Sequence, residues 1–146
     1  MNFPAQFLIR AVNAKTRAPV PHLAIKLILF APAKNNYTIP IITDASGNAA
    51  ITKEHVLRSI EDDWNLFPMD YASSLEECSP EIEIRTCSAD DVRKTVDAFN
   101  LFGPTRTTSS GLRLAFENSV NDQYSPTSKR INVEQVNPFE IEILPK

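Results

Sequence analysis

Two histidines, two cysteines and three short runs of acids are the side chains of this sequence best suited to act as bases, nucleophiles or ligands. An imidazole titrates near neutral pH and serves as a general base or a metal ligand. His22 and His55 lie in different segments and belong to no recognisable constellation, so His22 reads as a strand-start residue and His55 as a helix residue near its N-terminus. A thiolate could pair with either histidine, but Cys78 and Cys87 carry no sequence signature of a Cys–His nucleophile. A disulfide between them is geometrically conceivable across their short separation. Free thiols are the preferred reading, which places the chain in the cytoplasm, and Cys87, just after a clean strand, reads as a packed thiol.

The acids Glu61-Asp62-Asp63, Glu76-Glu77 and Asp90-Asp91 are adjacent in sequence. Neighbouring carboxylates on a helix end point in different directions and do not by themselves build an oxygen cage for a cation. Asp90 and Asp91 are explained by the macrodipole of a helix they begin. The run Asp44-Ala45-Ser46-Gly47-Asn48 echoes a calcium loop without its second Asp or its later Glu, and reads as a turn. Gly103 to Gly111 lacks the Lys-Ser/Thr of a phosphate loop, and Pro104 removes a donor, so it reads as a flexible connection. The expectation is a chain without a catalytic residue, metal or cofactor.

One segment carries recognition chemistry instead. Trp64, Phe67, Met69 and Tyr71 fall within eight residues of loop-like sequence flanked by acids. Aromatics and Met with a polar rim are enriched at the centres of protein interfaces, so these four are the protein-binding candidates. Two alternatives stay open: they fold under to close an edge of a sheet, or Trp64 and Tyr71 stack on a sugar ring.

The elements that must position these residues are short strands. Phe7–Asn13, His22–Phe30, Thr38–Thr43 and Asn48–Thr52 are rich in strand formers, and in the second Leu23, Ile25, Leu27 and Leu29 share one face. Lys26 lies on the other face, which is expected to be only partly covered. Pro40 demotes the third strand to an edge, and Asp44-Ala45-Ser46-Gly47 predicts a hairpin turn into the fourth. The period then changes. Thr52 caps a predicted helix over 53–63 with Val56, Leu57, Ile60 and Trp64 on one face, and Ser88 caps a second over 89–102 with Val92, Val96 and Phe99. Glu81–Arg85, Leu112–Phe116, Arg130–Gln135 and Phe139–Leu144 read as further strands, the first and last exposed and amphipathic. The fold expected is mainly β: an antiparallel β-sandwich over 1–146, one domain, with two inserted amphipathic helices.

The stretch from Ile9 to Thr52 resembles the opening of the transthyretin-like, carboxypeptidase-regulatory-like β-sandwiches, which share an Ig-like layout. The matching residues are Arg10-Ala11-Val12-Asn13-Ala14, then Ala18-Pro19-Val20-Pro21, then Thr43-Asp44-Ala45-Ser46-Gly47-Asn48-Ala49. A glycine frequent after the Pro-Val pair is replaced here by His22 and its neighbours. One branch of these sandwiches hydrolyses 5-hydroxyisourate and ends in Tyr-Arg-Gly-Ser, whereas this sequence reads Glu142-Ile143-Leu144-Pro145-Lys146 there. The resemblance therefore implies a non-catalytic accessory module.

A net charge of -3, with Lys and Arg scattered, argues against nucleic acid as a partner. No apolar run reaches the roughly 20 residues of a membrane helix, and no secretory leader is visible. The expectation is a non-catalytic protein-binding or structural sandwich that binds another protein, with homodimerisation through strand edges as one route. The alternative is a small hydrolase, or a ligand- or carbohydrate-binding protein, with its site between the helices and the sheet; it requires His55, Cys78 or the acids to converge in a cleft.

Overall fold

A computed structural model describes residues 3–31, 36–64, 75–102, 110–135 and 138–146. Among them, period-two alternation yields β1 (Gln6–Asn13), β2 (Ala24–Leu29), β3 (Tyr37–Ile42), β4 (Asn48–Thr52), β5 (Glu81–Thr86), β6 (Ser128–Asn132) and β7 (Phe139–Ile143). They form two mostly antiparallel sheets, one ordered β4-β1-β7 and the other β3-β2-β5-β6. Both sheets bury residues in one core: Ile9, Ile51 and Ile141 from the first join Leu27, Ile39 and Ile84 from the second. Each such side chain, taken fully out of water, contributes roughly 1.5–3 kcal/mol.

Three expectations about the sheets are corrected. The β1–β7 pair is parallel, with Ile9 opposite Phe139 and Val12 opposite Glu142. Parallel neighbours need a long connection, and here all of β2 to β6 lies between them. The Asp44–Gly47 turn is not a hairpin, because β3 pairs with β2 while β4 crosses to pair with β1. Finally, β5 is not a free edge: β2 and β6 flank it on either side. Pro40 does sit on an edge strand, β3.

The crossing turn is fixed by long-range contacts. Asp44 Oδ1 accepts from the amides of Ser46 and Asn48, at 2.8 and 3.0 Å. Gly47, at φ +77°, closes the turn by donating to Asp44 O at 3.0 Å, and its carbonyl accepts from Ala11 N at 2.9 Å. A Cβ there would stand 2.8 Å from Pro19 Cβ and 2.9 Å from Val20 N. Val20 N in turn donates to Ala11 O, and Thr43 Oγ1 donates to Val20 O while accepting from Leu23 N. The segments around Ala11, Pro19-Val20 and Gly47 thus form one packed corner.

Two helices begin where their caps predict. In α1 (Lys53–Trp64) the first turn is tied by His55 N donating to Thr52 Oγ1 at 3.1 Å, and Val56 is buried in the core. This helix packs against β3 and β4, the edges of the two sheets on that side, and so closes the gap between them. In α2 (Ala89–Phe102) Asp91 N donates to Ser88 Oγ at 3.1 Å. A third helix, α3 (Ser110–Glu117), stands where a strand over 112–116 was expected. Leu112, Leu114 and Phe116 satisfy a period of two, but Phe116 is fully buried with Leu112 packed beside it, and Leu114 is 57% exposed. The buried pair is spaced i, i+4, one face of a helix. No helix among the described residues is long and apolar enough to cross a membrane.

Candidate functional site

The outer face of the second sheet supports the one feature a two-sheet scaffold does not need. Ala24 on β2, Cys87, Val92 and Val96 of α2 and Phe116 of α3 form a second apolar cluster, separate from the core between the sheets. Lys26, next along the same face of β2, carries its ammonium to Asp91 Oδ1 at 3.0 Å, tying the first turn of α2 to the sheet. The helix pair sits over Ala24, and the same face stays buried beyond Lys26, at Ile28.

Asn121 holds the third side. It opens a single turn of 3-10 helix (Asn121–Gln123) and is only 3% exposed. Its Oδ1 accepts from Ala24 N at 2.8 Å, and its Nδ2 donates to Ala24 O at 2.9 Å and Cys87 O at 2.7 Å. One side-chain amide therefore completes the backbone bonding of β2 and of the chain leaving β5, where the ladder ends. His22, in the left-handed region at φ 58°, accepts through its carbonyl from Val120 N at 2.9 Å and keeps the same segment against the turn before β2.

Between α2, the end of α3 and this turn lies a groove of about 320 Å³. Val92 and Val96 give it an apolar wall, and Ser119 and Asn121 a polar one. Three exposed carboxylates line it: Asp97 on α2, Glu117 at the last position of α3, and Asp122 on the 3-10 turn. Among the described residues none of the three is in an ion pair. The cation in the lining, Arg93, is engaged by Asp90. Two other depressions, one beside β6 and β7 and one beside the start of α2, are lined mainly by polar side chains whose apolar neighbours Ile131 and Phe139 already belong to the core.

The residues singled out by chemistry do not assemble here. Cys78 and Cys87 are not joined in a disulfide; both are buried, in different apolar clusters. Burial pushes the Cys87 thiol up to about 12, with the Asp91 carboxylate adding to the rise against the opposing effect of Lys26, so it is not a thiolate nucleophile near neutral pH. His55 sits on α1, with Nε2 buried and without a hydrogen-bond partner among the described residues. Asp90 and Asp91 are paired with Arg93 and Lys26. No group of three or more His, Cys, Asp or Glu among the described residues is placed to hold a metal ion. Trp64 closes α1, but its side chain, together with Phe67, Met69 and Tyr71, lies outside the described residues, as do the side chains of Glu61, Asp62 and Asp63 and residues 103–109.

The groove was missed by reading the sequence because its walls come from segments 89–97 and 117–122, neither of which carries a local motif. Comparison with known proteins adds no relative: no protein-family model matches the chain, and no curated protein or solved structure matches it.

Proposed function

We infer that the chain is a non-catalytic protein-binding module, a β-sandwich whose helix pair forms the docking site. The observation that carries this reading is the groove beside Val92 and Val96, apolar at its wall and rimmed by carboxylates without ion-pair partners among the described residues. An apolar centre inside a polar rim is the general anatomy of a protein contact. The hydrolase alternative has less support, since it relies on His55, Cys78 or the acids singled out in the sequence converging in a cleft, and none of His55, Cys78, Glu76, Glu77, Asp90 and Asp91 lines this groove. The packed corner of Ala11, Pro19-Val20 and Gly47 supports a transthyretin-like variety of sandwich, because the residues that carry that resemblance are the ones in contact. A cytoplasmic location is part of the same proposal and is favoured by two cysteines that form no disulfide.

Site-specific photo-cross-linking in the native host tests the docking site. With benzoylphenylalanine at Ser119, in the groove, a discrete cross-linked protein is expected; at Arg58, an exposed residue of α1, it is not. The same product from both positions, or from Arg58 alone, refutes the assignment.

A further inference from the structure

The charge around the groove identifies what it receives. Glu117 is the last residue of α3, and that helix has no basic residue in its last turn. The C-terminal end of a helix carries partial negative charge, so an acid there is destabilising where a cation would be stabilising. Asp122 stands across the groove on the 3-10 turn, and Asp97 is on α2. Three carboxylates and a helix C-terminus thus line one opening, and among the described residues none of the three is in an ion pair. Arg93 is already bound to Asp90, and Lys26 to Asp91. Elsewhere on the described surface the acids are commonly matched: Glu54 by Arg58, Glu83 by Arg85, and Glu140 and Glu142 by Arg17.

Resting on the docking reading above, we propose that the groove takes a lysine- or arginine-bearing segment of a partner protein, its basic group set among Asp97, Glu117 and Asp122 and an adjacent apolar side chain laid against Val92 and Val96. The partner's cation supplies the charge that the end of α3 lacks. Removing the Glu117 charge is then expected to weaken binding while leaving the fold as stable or more so, which a purely structural role for Glu117 would not produce.

The test uses the full chain and three short fluorescein-labelled peptides, alternating leucine with lysine, with glutamate or with glutamine, read by fluorescence anisotropy. The leucine–lysine peptide is expected to bind, with affinity falling as salt rises. The double variant Glu117→Gln/Asp122→Asn is expected to weaken it about tenfold, the effect of losing two partly exposed charge pairs. A control that neutralises the same number of exposed acids elsewhere, Glu77→Gln/Glu81→Gln, leaves binding unchanged. An equal loss in both variants means attraction to the chain's net charge, and overturns the proposal. Binding of the glutamate or glutamine peptide at the groove overturns the charge assignment while preserving the docking site. No binding by any of the three removes both.

Discussion

Replacing Asn121 by alanine removes one side chain and three buried hydrogen bonds at once. Ala24 N loses its acceptor and Cys87 O its donor, while Ala24 O keeps only the longer bond from Cys87 N at 3.3 Å. With residue 121 only 3% exposed, water has little access to the orphaned groups. A buried backbone group left unsatisfied costs about 1–3 kcal/mol. Partial relaxation brings the expected loss to roughly 3–5 kcal/mol, a large fraction of the 5–15 kcal/mol typical of a domain. For a chain of this length that corresponds to a fall in Tm of roughly 8–15 °C. Urea and thermal unfolding followed by circular dichroism measure it, and amide exchange at Ala24 should accelerate. Asn121→Asp gives a second reading, because one carboxylate oxygen then faces two carbonyls. Its folded pKa lies above the unfolded carboxyl value near 3.9, so its destabilisation is relieved at acid pH and reappears as pH rises through the folded pKa. A loss under about 1 kcal/mol for the alanine variant would refute the role given to this residue.

Three further outcomes follow from other parts of the fold. Gly47→Ala forces a Cβ to 2.8 Å from Pro19 at a positive φ, and should cost roughly 2–4 kcal/mol in urea unfolding; a neutral substitution would contradict the corner. The Cys87 thiol, raised from 9.0 to about 12 by burial, favours folding in its protonated form. Its contribution is full below about pH 9 and is lost as pH climbs toward 12, so Cys87→Ala should show a shallower alkaline loss of stability than the parent. In the native state a thiol reagent should leave Cys87 unmodified until denaturant is added. Glu117→Gln alone should raise stability by about 0.3–1 kcal/mol, seen as a higher urea midpoint, and a lowered midpoint would place Glu117 in the structural framework instead.

What the sequence made legible was local. Strand alternation located β1 to β5 and β7 closely and β6 a little late, and the Thr52 and Ser88 caps located α1 and α2. What it concealed was pairing. The Asp44–Gly47 turn has the residues of a hairpin, yet its geometry answers to Ala11 and Pro19, more than twenty residues upstream. The segment Leu112–Phe116 satisfies two periods, and only contact with Ala24 and Val92 decides for the helix. Asn121 was silent because its partners are as far as 97 residues away in sequence. The groove inherits that silence, since its two walls meet only after α2 and the Asn121 turn have docked on β2.

The docking site itself is tested most directly by mapping amide shifts of the isotope-labelled chain as the cross-linked partner, expressed separately, is titrated in. Perturbations are expected at Ala89–Asp97 and at 117–122, and Ser119→Arg, which places a cation in the groove from a half-buried position, should abolish them without unfolding the protein. Shifts confined to α1, or to the β6 and β7 edges with Ser119→Arg binding as the parent does, would contradict the account.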